Sequence, residues 1–293
     1  MTELINVILP TFIIIFIGFV FGRIKKLDLS AVTEILIYIG IPALVLTSML
    51  EKDIVLANAA KIWGSALIIM VGCGVVAWVV FTVLRQKHSG LYLPISIMNA
   101  VNIPFPIIYL VYGSEGLFAA TLFMIPSGIL TYSAGIYLAS GKDWRGSLRE
   151  VLKIPPIYAA VLGLILNLLK VEVPEIVLRP LELIGLMAIP MVLLVLGNNL
   201  SKIKVTSVPT TLLASFLRVG VGLGFGFLAV TVFDLTGVLR AVVILDSAMP
   251  AAVNAAIIAT KYRNEPELVS SVVFVTTVLS LAIIPLLLNL LGG

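Results

Sequence analysis

Charged side chains are scarce in this sequence: Asp, Glu, Lys and Arg make up 12% of its 293 residues, and 60% are hydrophobic. Soluble domains average about a quarter charged residues, so this composition excludes an ordinary soluble fold. No polar domain, low-complexity tract or long linker interrupts the apolar runs. We therefore expect a membrane protein that crosses the bilayer many times.

Cysteine and histidine are almost absent, with one residue of each, Cys73 and His88. A single cysteine excludes an internal disulfide, and a single histidine in a loop excludes a His-based metal site. Intramembrane proteases need a histidine or two buried aspartates, and the sequence supplies neither set. We expect no enzyme, no metal and no cofactor. The net charge of +4 resides in loops, so we expect no nucleic-acid partner either.

Apolar runs long enough to cross a bilayer, which takes roughly 20 residues, follow one another along the chain. The first is not expected to be a cleaved signal, since no basic segment precedes it. We predict ten transmembrane helices, at 4–22, 31–50, 61–84, 91–111, 115–140, 155–169, 181–200, 209–233, 237–260 and 267–291.

Lys and Arg are distributed unevenly between alternate loops. Thirteen lie in one set of loops, five in the opposite set, and Arg218 lies inside a span. Because positively charged loops stay cytoplasmic, we expect a multi-pass protein of the cell (inner) membrane with both termini on the extracytoplasmic side.

Two segments repeat at a constant offset: "EILIYIGIP" (34–42) and "ELIGLMAIP" (182–190). Prolines also interrupt the fourth and the ninth span at comparable places. The chain therefore predicts two five-helix halves, 1–148 and 149–293. An odd number of spans inverts the second half relative to the first, as in many secondary transporters.

Prolines break the fourth and ninth predicted spans near mid-membrane. Proline lacks the N–H that bonds the carbonyl four residues earlier, so we expect Pro106 to free the carbonyl of Asn102 and Pro250 that of Asp246. Unpaired backbone at this depth is tolerated where it lines a cavity inside the protein. Each break also starts a half-helix, whose exposed N–H groups favour an anion.

Polar side chains gather at the same two breaks. Helical spacing predicts that Asn99, Asn102 and Pro106 share one face, and that Asp246, Pro250 and Asn254 share another. We predict a substrate site for a small anion at the crossing of the breaks, formed by Asn99, Asn102, Pro104, Pro106, Ser247, Pro250 and Asn254.

Two charged residues lie within spans, and we assign them to ion or proton coupling. A carboxylate at mid-membrane is costly unless it is paired, hydrated or protonated, which makes Asp246 the principal candidate. Arg218 either extends toward the inner surface or pairs with a carboxylate such as Asp246. Both alternatives remain open.

Four glycines alternate through the eighth span, in "RVGVGLGFGF" (218–227). No strand precedes them and the run is apolar, so they are not a dinucleotide-binding loop. Their spacing predicts close helix packing instead. Ser127, Thr131 and Tyr132 in the fifth span either face the cavity or, as is usual for Ser and Thr, bond their own helix.

Two motifs resemble those of the auxin efflux carrier family. "AMPAAVNAAIIATKY" (248–262) is similar to the segment of the ninth helix in that family, and "NAVNIPFP" (99–106) to its fourth-helix motif. Asn99 and Pro106 hold the motif positions, and Pro104 stands where the family has glycine. The chain lacks the long cytoplasmic loop of plant members, so it resembles the microbial type within the bile-acid and auxin carrier superfamily.

The resemblance implies a fold like that of sodium/proton antiporters, with helices 1, 2, 6 and 7 as a scaffold and helices 3–5 and 8–10 as a moving transport unit. It also implies a homodimer in the bilayer and a small organic anion as substrate, a mono- or dicarboxylate. We expect a secondary transporter that works by elevator-type alternating access.

The alternative is a cation/proton antiporter or a sodium-coupled symporter of the same fold. An antiporter usually needs paired mid-membrane carboxylates, and Asp246 is the single candidate here. Coupling to protons, to sodium or to no ion stays open.

Overall fold

The computed structural model describes residues 2–25, 28–51, 54–140 and 149–291, with side chains from residue 9 onward. Four of the basic residues used above for orientation lie outside the described residues, as does the predicted boundary between the halves at 148; these are Lys26, Lys52, Lys142 and Arg145.

The described residues form an all-helical protein, and their one β-type feature is an isolated antiparallel pairing of Met98 with Ala251. The helices are, in chain order, α1 (Thr2–Lys25), α2 (Ser30–Glu51), α3 (Leu56–Val83), α4 (Tyr92–Ser96), α5 (Pro104–Ser140), α6 (Pro155–Leu168), α7 (Glu175–Leu200), α8 (Val208–Val232), α9 (Gly237–Ser247), α10 (Val253–Tyr262) and α11 (Pro266–Leu291).

Six of the helices in the described ranges are long and apolar enough to cross a membrane: α2, α3, α5, α7, α8 and α11. Helix α6 is apolar but has only 14 residues, consistent with its being the shortest run in the sequence. The chain is therefore a multi-pass membrane protein built from helices.

Helix α5 contains a sharp change of direction at Gly113, where φ is 61° and ψ is −152°. A positive φ is readily adopted only by glycine, which has no Cβ to clash with the backbone. This residue separates the end of the fourth predicted span from the fifth.

The fourth and ninth predicted spans are both interrupted. Residues 97–103 separate α4 from α5, and residues 248–252 separate α9 from α10. Each interruption is short, and both lie in the interior, where most of their side chains are buried.

The helices pack in two groups. In the first, α1 lies along α7, and α2 packs against α6 and α7. Gly18 and Gly197 bring α1 and α7 so close that a Cβ on either would meet the backbone of the other. In the second group, α3 and α9 each contact α5 and α8 as well as each other, and α11 packs on α8 and α10. Contacts of α5 with α1, α2 and α6 connect the groups.

Candidate functional site

The two interruptions cross and bond to each other through backbone atoms. The N–H of Asn99 donates to the carbonyl of Pro250 at 2.8 Å, and the N–H of Ala252 donates to the carbonyl of Ile97 at 3.0 Å. These two bonds produce the antiparallel pairing of Met98 with Ala251. The breaks thus satisfy part of their own backbone, as burial away from water requires.

Pro104 and Pro106 lie in the first turn of α5 and do not break a helix from within. The first N–H groups of a helix have no intrahelical partner, so proline costs little there. The chain leaves the helical path earlier, after Ser96, and resumes it at these prolines.

The expectation that Pro250 frees the carbonyl of Asp246 is wrong. This carbonyl accepts a bond from the N–H of Met249 at 3.1 Å, because α9 closes in a tight turn before the proline. The carbonyl left without a helical partner is that of Ser247, since the N–H of Ala251 donates instead to Thr276 Oγ1 at 3.1 Å.

The expectation of one helical face at each break is also wrong. Residues 97–103 are not helical, and α9 ends before Pro250, so helical spacing does not apply across either break. Asn99 and Asn102 are nonetheless close in space, because Asn99 Oδ1 accepts the backbone N–H of Asn102 at 2.9 Å. Asn99 is buried, and its Nδ2 has no hydrogen-bond partner.

A cavity of about 170 Å³ lies at the crossing, between the two helix groups. The interruption before α5 and the start of α10 border it, since residues 98–102 and 252–254 contribute to its wall. No charged side chain lines it among the described residues. The polar lining residues are Thr33, Asn99, Asn102, Ser127, Thr131, Tyr132, Asn199 and Asn254, and the remainder are apolar or glycine.

The structure divides the residues predicted for the substrate site into two sets. Asn99, Asn102 and Asn254 line the cavity. The other four, Pro104, Pro106, Ser247 and Pro250, are buried near the crossing but do not line it.

Ser127 and Thr131 combine the two alternatives considered for them. Both line the cavity, while their hydroxyls donate to the carbonyls of Phe123 at 2.9 Å and of Ser127 at 2.7 Å. Sequence reasoning missed Thr33 and Asn199. The adjacent amides Asn198 and Asn199 in an apolar span were a usable signal for the second of these.

Arg218 is fully buried and does not extend toward either membrane surface. Its Nη1 donates to the carbonyl of Ile95 at 2.9 Å and its Nη2 to the carbonyl of Ser247 at 2.7 Å. No ion pair joins it to a carboxylate in the described part of the chain. The guanidinium therefore holds the C-terminal ends of α4 and α9.

Asp246 is also fully buried, at the last turn of α9, and neither carboxylate oxygen has a hydrogen-bond partner. It does not line the cavity. Among the described residues, no group of three His, Cys, Asp or Glu side chains lies together as a metal site would require. The structure thus offers one isolated interior carboxylate.

An ion pair joins the segment before α6 to the end of α10. Lys153 Nζ donates to Glu150 Oε1 at 2.9 Å, and Lys261 Nζ lies 3.6 Å from Glu150 Oε2. The hydrogen bond from Lys153 and the charge of Lys261 hold the pKa of Glu150 below its ordinary value. The contact bridges the two helix groups.

Comparison with known proteins gives two kinds of match. Residues 144–288, nearly half of the chain, match the family model described as "Membrane transport protein". An uncharacterized transporter of Methanocaldococcus jannaschii is 25% identical over 96% of this chain and 96% of its own length. An uncharacterized transporter of Methanothermobacter thermautotrophicus is 27% identical over 95% of each chain.

Proposed function

We propose that this chain, a membrane transporter of the auxin efflux carrier family, carries a small organic anion through a site at the crossing of its two interrupted helices. The observation that carries the proposal is the cavity there, which has walls from both breaks and from both helix groups. A crossing of broken helices is where secondary transporters of inverted-repeat design bind their substrates.

An anion suits this cavity because α10 begins at its wall. The N–H groups and the dipole at the start of α10 favour negative charge. The first turn of α5 contributes little, because Pro104 and Pro106 lack an N–H and Phe105 donates to the carbonyl of Val101. The unpartnered Nδ2 of buried Asn99 adds a donor that a carboxylate oxygen would satisfy. Because no cationic side chain lines the cavity within the described residues, a single carboxylate on a largely apolar body fits better than two carboxylates.

The position of the cavity between the two helix groups supports elevator-type alternating access. Residues of α2, α6 and α7 form one wall, and the breaks with α5 form the other. In this proposal the protein has ten transmembrane spans, and the halves 1–148 and 149–293 are inverted repeats. Spans 1, 2, 6 and 7 form the scaffold, and the remaining spans move. The ion pair of Glu150 with Lys261 then breaks or re-forms as the groups slide.

Orientation and assembly complete the proposal. Both termini lie on the extracytoplasmic side of the cell membrane, because the basic loops remain cytoplasmic. The protein is a homodimer in the bilayer, joined through its second and seventh spans.

A cation/proton antiporter or a sodium-coupled symporter of the same fold is the second candidate. The observation that favours ion coupling is Asp246, a fully buried carboxylate without a hydrogen-bond partner. Such a group is stable only if it binds a proton or a cation, so its state changes with the ion supply.

Uptake into proteoliposomes tests the transport proposal. A panel of mono- and dicarboxylates is offered with and without pH and sodium gradients, and we expect saturable uptake of at least one monocarboxylate. Uptake of an inorganic cation with no carboxylate transported would favour the second candidate instead.

Variants of the lining amides test the position of the site. We expect Asn99→Ala and Asn254→Ala to weaken substrate binding by about 10-fold or more, the usual effect of losing a hydrogen bond to a charged group. Asn99→Asp keeps the acceptor for Asn102 but places a negative charge beside the anion, so it should weaken binding further. Asn289→Ala, exposed on α11, is the control. Unchanged affinity in all three site variants would place the substrate elsewhere.

A further inference from the structure

Two backbone carbonyls at the crossing lose their helical partners for identifiable reasons. The N–H of Asn99, which would bond the carbonyl of Ile95, donates across the crossing to Pro250. The N–H of Ala251, which would bond the carbonyl of Ser247, donates to Thr276. Two buried acceptors therefore face each other at the C-terminal ends of α4 and α9, where the backbone carries partial negative charge.

The guanidinium of Arg218 fills the space between these two carbonyls. One nitrogen bonds Ile95 and the other bonds Ser247, at 2.9 Å and 2.7 Å. The planar fork of arginine suits two acceptors in fixed positions. The cation is thus shared between the two halves of the chain.

The conformation of α8 places the Arg218 side chain between the two carbonyls. Arg218 lies in a wide π-helical turn, Leu217–Val221, a local expansion that is frequent at functional sites. A Cβ at Gly222 would meet both the guanidinium and the carbonyl of Ser247, and a Cβ at Gly226 would meet the side chain of Ser247. These two glycines make room for the arginine and for the end of α9.

We propose that Arg218 is a built-in cation that takes the place a sodium ion would occupy at the crossing. Carbonyl oxygens are among the ligands that hard cations prefer, and the crossing supplies two of them, those of Ile95 and Ser247. With the guanidinium in place, no sodium is needed to hold the ends of α4 and α9 together. This inference concerns the cation between the ends of α4 and α9 alone, and it does not depend on the proposed substrate or on the ion that Asp246 binds.

The test compares the melting temperature of the purified full chain in sodium, potassium and choline chloride at equal ionic strength, with no substrate present. We expect the wild-type Tm to be the same in all three salts. Arg218→Ala should be less stable in potassium and choline, and sodium should raise its Tm saturably by about 3–5 °C, as a ligand at about ten times its Kd does. Arg218→Lys keeps a cation at this place and should show no sodium effect.

Arg240→Ala is the matched control, because Arg240 is exposed at the other end of α9. A general loss of stability in Arg218→Ala, equal in the three salts, would reduce Arg218 to a hydrogen-bonding role and overturn the proposal. A saturable sodium effect on the wild type would overturn it as well. If Arg218→Ala is recovered folded only when it is purified in sodium, the proposal is supported; failure to recover it in either salt overturns it. None of these measurements uses a substrate, so they stand whichever carboxylate is transported.

Discussion

Asp246 is the residue whose environment is hardest to explain by structure alone. Its carboxylate is fully buried without a hydrogen-bond partner, one residue before a carbonyl that binds a guanidinium. An ionised and unpaired carboxylate at this depth costs several kcal/mol, so its charge is tied to a proton or a cation. The natural use of such a group in a transporter is to sense whether the neighbouring site is occupied.

Replacing Asp246 by Asn separates this role from a structural one. The amide keeps the shape and cannot titrate, so we expect Asp246→Asn to retain downhill substrate exchange and to lose its dependence on pH or sodium. Counterflow and gradient-driven uptake in proteoliposomes measure the two activities separately. Asp234→Asn, in an exposed turn with φ of 48°, is the control, because asparagine also accepts that conformation. Full ion dependence in Asp246→Asn would remove the residue from the coupling mechanism.

The alternating glycines of α8 are not equivalent in what surrounds them. Gly226 faces the side chain of Ser247, whereas no atom lies within contact distance of a Cβ at Gly224. The face that carries Arg218, Gly222 and Gly226 receives the end of α9, because these residues are four positions apart. The other glycines of the run do not contribute to that contact.

Two glycine-to-alanine substitutions on this helix should therefore have different effects on the free energy of unfolding. Gly226→Ala forces α8 away from Ser247 and should lower the free energy of unfolding by about 1–3 kcal/mol, as overpacking does. Gly224→Ala meets open space and should be neutral or stabilise by up to about 1 kcal/mol, because alanine favours the helix. Thermal unfolding in detergent measures both. Equal destabilisation by the two substitutions would contradict this account of the packing.

The sequence predicts the all-helical, apolar character of the chain and the places of the two interruptions, because each depends on local properties. A run of apolar residues favours a membrane-spanning helix, and polar residues clustered with prolines mark the two breaks. Proline alone does not mark a break, since Pro190 lies inside α7. The partners of Arg218 were not predictable, since its two carbonyls become free only when the chain pairs Asn99 with Pro250 and Ala251 with Thr276. Asn199 escaped notice for a related reason: it reaches the cavity through the packing of α7 against distant segments.

Many apolar side chains are exposed on the surface of the described part of the molecule. Tyr38 and Ile39 on α2 are 62% and 51% exposed, and Leu183 on α7 is 66% exposed. Lipid satisfies such surfaces on any span, so exposure alone does not define an interface. The proposed dimer contact through the second and seventh spans needs a direct measurement.

Disulfide cross-linking in membranes provides that measurement. We expect single cysteines at Tyr38 or Ile39 to form covalent dimers upon oxidation, because these positions face outward on α2, one of the two helices of the proposed interface. The native Cys73 is buried and should remain unreactive. Val45→Cys, at a fully buried position of the same helix, is the control. Absence of cross-links along 36–48, together with a monomer in lipid nanodiscs, would exclude this interface.

The pairing of residues 97–99 with residues 250–252 has a consequence for how such proteins diverge. Both of its bonds join backbone atoms, so they do not depend on which side chains stand nearby. Mutations of the lining residues are therefore free to alter substrate preference while the crossing itself persists, in keeping with the general separation of sites from the folds that carry them. Related transporters can therefore differ in substrate while they keep the same crossing of the two backbone segments.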